Sequence, residues 1–182
     1  MTRVGDNLLL KPALIFEKIG LNLGMRVADL GCGRTGHLVF PAAKKVGDLG
    51  LVYAVDILKD VLMGIKSQAK IEGCDNVQTV WSNIELIGKT PIPEKSLDAC
   101  FLINVFYLLK DKLSVLRESF RFLKEGGRAV VIDWKKKIGA VGPDEKMFVR
   151  PEILIDLARQ AGLVLEEKFE MSDYNYCLIF KK

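Results

Sequence analysis

Apolar runs of strand length alternate with segments of helical spacing along most of this chain. Met25 to Leu30, Leu51 to Val55, Val77 to Trp81, Leu97 to Ile103 and Arg128 to Trp134 are short runs rich in Val, Ile and Leu. They show little strict alternation of apolar and polar positions, as expected of strands covered on both faces of a parallel sheet. Helical candidates lie between them. Lys59 to Ile71 places Val61, Leu62, Ile65 and Ala69 at helical spacing and meets Gly73 just past its end. Asp111 to Leu123 carries Leu113, Leu116, Phe120 and Leu123 on one face and stops at Gly126-Gly127. Lys11 to Ile19 has Pro12 near its start, and Pro151 to Gln160 opens on a proline and ends before Gly162. His37 to Lys45 has helical character too, although Pro41 interrupts its first part.

The alternation breaks at the end. Leu163 to Phe169 and Tyr174 to Phe180 are two strand-like runs with only Glu170 to Asp173 between them. So short a link cannot carry a parallel crossover, so the two runs should pair antiparallel. The pattern predicts an α/β fold: a Rossmann-like, doubly wound, mostly parallel seven-stranded sheet. Helices cover both faces, and an antiparallel hairpin closes the C-terminal end.

Composition narrows this little further. The chain has 182 residues, of which 49% are hydrophobic. That suits one domain over 1–182 with a full core, and no linker, repeat or low-complexity segment divides it. The net charge of +4 permits an acidic partner without demanding one. Cys32, Cys74, Cys100 and Cys177 are scattered, and His37 is the only histidine. Such spacing does not suit a zinc site and reads instead as reduced, buried thiols. Met1 to Leu10 lacks the pattern of a signal peptide, and no apolar run has the length of a membrane span. A cytoplasmic protein is expected.

The candidate chemistry centres on Gly31-Cys32-Gly33-Arg34-Thr35-Gly36, which reads G-x-G-x-x-G between a strand and a helix. Glycines there let backbone approach a ligand closely, and the helix start offers free N–H groups. Three readings compete. A phosphate-binding P-loop would need lysine and Ser/Thr where His37 and Leu38 stand, so it is rejected. A nicotinamide or flavin dinucleotide site fits Asp56, which ends the second strand 20 residues after Gly36 and could hold ribose hydroxyls. Against it, Asp29 takes a strand position that is normally apolar in such sites, and no Y-x-x-x-K pair is present. The third ligand is S-adenosylmethionine. Asp29 would then orient a cationic methionine end, and Asp56 would again take the ribose.

These residues carry a resemblance. Val27-Ala28-Asp29-Leu30-Gly31-Cys32-Gly33 resembles the first motif of the class I S-adenosylmethionine-dependent methyltransferases, and Val52 to Ile57 resembles the second. Ser82-Asn83-Ile84-Glu85, Ser96 to Asp111 and Leu123 to Arg128 resemble later segments of the same family, as does the terminal hairpin. Small quinone-type and other C- or O-methyltransferases share this set. The chain departs from many members in having Thr35 where a glycine comes two residues after Gly33, its third glycine being Gly36.

The resemblance implies an enzyme that transfers a methyl group from S-adenosylmethionine, to a small molecule rather than to RNA or protein. The implied cofactor residues are Asp29, Gly31, Cys32, Gly33 and Gly36 in the turn, Asp56 and Ile57 after the second strand, Asn83 and Ile84 after the third, and Asn104 after the fourth. In the second motif the carboxylate binds ribose and the next apolar residue packs on adenine. Asn83 could equally make a turn, and Asp56 a helix cap. Asn104-Val105-Phe106-Tyr107 lacks both prolines of the N-P-P-Y motif found in enzymes that methylate nucleobase amines. No general base is assigned. His37, Tyr107 and Asp133 are candidates, each with a plainer role as cap, wall or buried polar group. Lys135-Lys136-Lys137 is a solvated loop or an attraction for an anionic substrate. Residues 1–10 are read as a segment able to close over the site. A non-catalytic cofactor-binding subunit and an NAD(P)-dependent oxidoreductase are the alternatives.

Overall fold

The computed structural model describes residues 11–137 and 142–182. The expected elements are present in the expected order. Strands β1 (Arg26–Leu30), β2 (Leu51–Asp56), β3 (Val77–Trp81), β4 (Leu97–Ile103) and β5 (Leu123–Trp134) are joined by helices, and β6 (Val164–Glu170) and β7 (Asn175–Lys181) follow. The helices are α1 (Pro12–Lys18), α2 (Val39–Val46), α3 (Lys59–Glu72), α4 (Lys112–Phe122) and α5 (Pro151–Gln160). Among the described residues, these seven strands form one sheet in the order β3-β2-β1-β4-β5-β7-β6. The first five run parallel, and β7 runs antiparallel to both of its neighbours, β5 and β6.

Each central strand feeds two cores, because successive side chains point to opposite faces. Val27, Val52 and Phe101 meet α1, α2 and α3 on one face. Ala28, Val55 and Leu102 meet α4 and α5 on the other. Asp29, next in line after Val27 on the first face, is the polar exception among the buried positions of β1. All four cysteines are buried and unpaired. Among the described residues, no helix is long and apolar enough to cross a membrane.

Three local differences from the sequence reading have physical causes. α2 begins at Val39, not at His37, which lies in the turn before it. Pro41 then falls in the first turn of the helix, where N–H groups have no intrahelical partner anyway. β5 begins at Leu123, five residues before Arg128, because Leu123 pairs with Leu97 and then a register shift follows. Gly126 and Gly127 are held there by Lys182, whose carbonyl accepts the Gly126 N–H and whose N–H donates to Gly127 O. A 3₁₀ turn at Phe106–Leu108 follows β4, in a stretch with no helical period to announce it.

Candidate functional site

Parallel strands end together, and the reversal of strand order on either side of β1 opens a crevice at their carboxyl edge. The turn after β1 lies over that crevice. The N–H groups of Gly31 and Cys32 both donate to Val55 O, at 2.8 and 3.0 Å. Gly33 N–H donates to Asp56 Oδ2 at 3.1 Å, and Leu58 N–H to Asp56 Oδ1 at 2.9 Å. The Asp56 carboxylate therefore joins the glycine turn to the end of β2. Leu58, and not Asp56, is the N-cap residue of α3.

The cavity is about 690 Å³, within the range usual for small-molecule sites. Asp29, Gly31, Cys32 and Gly33 line its floor, with Asp56 and Ile57 at one side. Asn83, Ile84 and Glu85 come from the loop after β3, and Asn104, Val105 and Tyr107 from the loop after β4. Nine of the ten expected cofactor residues thus face one space. Gly36 does not. It is buried, and a Cβ there would lie 2.8 Å from both Phe40 Cε2 and Ile65 Cδ1. The third glycine makes room for two core side chains and is not part of the cavity wall.

The electrostatics of the floor are unusual. Asp29 is buried, and among the described residues nothing donates a hydrogen bond to its Oδ1. Burial, and then the negative charge of Asp56, push its carboxyl up to about 7. A buried acceptor with no partner disfavours the empty charged state and favours a cationic or donating ligand. Burial, together with Asp29 and Asp56, pushes the Cys32 thiol well above its ordinary value. That favours the thiol of Cys32 over its thiolate.

Asn83 makes the turn that is one of its two readings, its Oδ1 accepting the Glu85 N–H at 3.0 Å, and it faces the cavity as well. Glu85 was not foreseen as a site residue. Its Oε1 accepts the N–H groups of Lys110 and Asp111, at 2.7 and 2.6 Å, and so ties two walls of the cavity together. Asn104 adopts a left-handed φ of +51°, rare for a residue other than glycine. Its N–H donates to Ile132 O, and its Oδ1 accepts from Asn175 Nδ2 at 2.9 Å. Those bonds hold a strained residue at the edge of a ligand space, where such strain is characteristically found.

Of the three candidate bases, His37 and Tyr107 line the cavity and Asp133 does not. Asp133 is fully buried and accepts the Trp134 N–H at 2.7 Å. Burial raises its carboxyl to about 6, although backbone N–H groups of Trp134, Phe106 and Tyr107 pull the other way. Burial first and Asp133 second also raise the Tyr107 hydroxyl.

A family model described as "Methyltransferase domain" matches residues 21–161. The ubiquinone/menaquinone biosynthesis C-methyltransferase UbiE of Enterobacter sp. (strain 638) is 34% identical over 120 residues. That alignment covers 65% of this chain and 46% of the relative, so the chain spans about half the length of the curated relatives it matches. Among solved structures, a SAM dependent methyltransferase from Aquifex aeolicus superposes with a TM-score of 0.87 at 26% identity, covering 98% of this chain and 93% of that one. The geranyl diphosphate C-methyltransferase of Streptomyces coelicolor A3(2), solved with S-adenosyl-L-homocysteine, shares the fold at a TM-score of 0.75 and 15% identity, over 93% of this chain and 78% of that one.

Proposed function

Since the chain belongs to the class I S-adenosylmethionine-dependent methyltransferases, we propose that it binds the cofactor in this cavity and methylates a small organic acceptor. The observation that carries this reading is the pair of carboxylates, Asp29 and Asp56, at the ends of adjacent strands beside a glycine turn. When bound, S-adenosylmethionine supplies a sulfonium methyl group already activated for displacement, with the electrons of the broken C–S bond returning to sulfur as a neutral thioether.

The chain's own part is binding, alignment and exclusion of water. Asp56 takes the ribose hydroxyls while its oxygens still accept Gly33 and Leu58 N–H. Ile57 and Ile84 present apolar surface to the adenine, and Asn83 offers it an amide. Asp29 meets the cationic methionine end with its unused oxygen. Val105, Tyr107 and Leu108 wall the opposite side, where the acceptor would approach along the line of the breaking bond. The name of the 34% identical relative specifies a carbon acceptor, and removal of a proton from carbon calls for a base. His37 is the wall residue suited to that role.

Calorimetric titration with S-adenosylhomocysteine, run beside NADH and NADPH, tests the reading. Binding of the first alone is the expected result, and binding of a nicotinamide cofactor instead would overturn it. Turnover is then sought with small aromatic and prenylated carbon acceptors. Cofactor binding without turnover on any acceptor would favour a non-catalytic cofactor-binding subunit. Asp56→Ala is expected to weaken cofactor affinity by about 1–3 kcal/mol, the usual worth of hydrogen bonds to a charged group. Unchanged affinity in a folded variant would remove Asp56 from the site.

Asp29 makes binding pH-dependent. Near neutrality its carboxyl, at about 7, is part protonated in the empty protein. A cationic ligand end favours the carboxylate, so binding expels that proton. S-adenosylmethionine affinity should therefore rise between about pH 6 and about pH 8. Calorimetry at neutral pH in two buffers of different ionisation enthalpy would measure the released proton, and Asp29→Asn would abolish it. An equal heat in both buffers would contradict the assignment.

A further inference from the structure

Three crossover loops at the carboxyl edge of the sheet share a pattern. After β2 comes Ile57-Leu58-Lys59, after β3 Leu86-Ile87-Gly88-Lys89, and after β4 Leu108-Leu109-Lys110. Each sets branched apolar side chains beside a lysine. Ile57, Leu58, Leu86, Ile87 and Leu108 are between 46% and 63% exposed. The second set is a hydrogen-bonded turn, with Lys89 N–H donating to Leu86 O at 3.1 Å. Turn tips are ordinarily polar, so Leu-Ile at one is a departure that needs a reason. Glu85, next in sequence, joins this loop to Lys110 and Asp111, which brings the second and third sets together. Trp81 is exposed beside the first set, with its indole N–H donating to Ile57 O and the Lys59 Nζ 4.3 Å above its ring.

We propose that this rim, built by the loops after β2, β3 and β4, docks on an anionic lipid surface. Charge decides the occupant. The neighbouring acids are already engaged: Asp60 with Arg34 at 2.7 Å, Asp111 with the N–H and hydroxyl of Ser114, and Glu85 with two backbone N–H groups. Among the described residues, Lys59, Lys89 and Lys110 make no ion pair. Apolar side chains interleaved with lysines suit the boundary between headgroups and acyl chains, where the chains take the Leu and Ile and the lysines reach phosphate. A tryptophan with a polar tip belongs at the same depth. A second copy of this chain suits the rim poorly, because a two-fold contact would set the lysines against one another.

Ile57, Leu58, Leu108 and Leu109 also line the cavity, so docking turns its mouth toward the bilayer. An amphiphilic acceptor could then present its reactive end while its tail stays in lipid. That consequence rests on the methyl-transfer reading, whereas the docking does not.

Flotation of the full chain with vesicles tests the docking. Phosphatidylcholine vesicles containing phosphatidylglycerol should carry the protein up, weakly at high salt, and pure phosphatidylcholine vesicles should carry far less. Trp81 emission should shift to the blue on binding. Lys89→Gln with Lys110→Gln should lower vesicle affinity roughly fivefold for each lysine removed. Leu86→Gln with Ile87→Gln should lower it as well. All four positions lie off the cavity wall, so S-adenosylhomocysteine titration should be unchanged, which separates this proposal from the cofactor reading. Absence of flotation with either vesicle, or flotation indifferent to both double variants, would overturn it. A concentration-dependent doubling of mass that Leu86→Gln with Ile87→Gln abolishes would give the rim to a second copy instead.

Discussion

Gly31→Ala is expected to destabilise the protein by about 2–5 kcal/mol and to lower cofactor affinity at least roughly tenfold. Gly31 has φ +85°, and a Cβ there would lie 2.8 Å from Val105 Cγ2. Two effects add. Left-handed backbone costs a residue with a side chain about 1–2 kcal/mol. Forcing a methyl group into a filled space costs about 1–3 kcal/mol more. Val105 is branched at Cβ and cannot swing clear by rotating a distant bond. It must move with the loop after β4, which carries Asn104 and Tyr107 into the cavity wall, so the change also reaches the ligand. A double-mutant cycle in urea separates the two parts. With Val105→Ala in place, Gly31→Ala should cost only the backbone part. The same cost in both backgrounds would show that Val105 is not what crowds the turn.

The second large effect lies away from the ligand. Arg121→Leu is expected to cost about 3–5 kcal/mol in stability by leaving a buried carboxylate unpaired. Glu118, fully buried on α4, takes two bonds of 2.8 Å from Arg121 Nε and Nη2. Its Oε2 also accepts the Gly88 N–H at 2.9 Å. Arg121 reaches on to Ile92 O and Thr90 O. The pair thereby fixes the loop between β3 and β4 to the helix beneath it. Burial raises the Glu118 carboxyl, but the Arg121 and Gly88 bonds outweigh it and hold the carboxyl below its ordinary value. Its stabilisation is present above the ordinary glutamate value and is lost as pH falls through the lowered one. In the variant the same carboxyl is buried without a cation and its value rises. The difference in stability between wild type and variant should therefore narrow as pH falls from about 7 toward about 4. Replacing both partners by leucine should recover most of the loss. A constant difference across that range would mean that the pair contributes little as charges.

Much of this molecule was legible in its sequence because much of it is locally determined. Val77–Trp81, Leu97–Ile103 and Pro151–Gln160 have the bounds their apolar runs and proline or glycine borders indicate. The antiparallel end followed from the length of one link. The cavity floor was legible for a related reason: Asp29 stands near the end of β1, Gly31 and Gly33 follow it within four residues, and Asp56 ends the adjacent strand. What stayed hidden depends on residues far apart in the chain. Glu85 gives no local sign that its partners lie 25 and 26 residues further on. Asn104 and Asn175 are 71 residues apart. Leu123 turns straight from helix to strand because Leu97 and Lys182 hold that stretch. Gly36 shows a different limit. Its spacing suggested a ligand, but that spacing is equally what two large side chains, Phe40 and Ile65, require of the backbone above them.

The place of β7 between β5 and β6 bears on how this sheet comes into being. β6 touches the sheet only through β7, which follows it in the chain. As the polypeptide leaves the ribosome, residues 164–170 emerge with no strand to join, and their edge waits for residues 175–181. A stop codon near Ser172 would therefore remove an interior strand and leave its dependent neighbour, β6, with nothing to pair with. It would also release Asn104, the left-handed residue that Asn175 braces at the mouth of the cavity. Nascent chains arrested before that point would hold five parallel strands and an open flank of β5, a ready surface for chaperones.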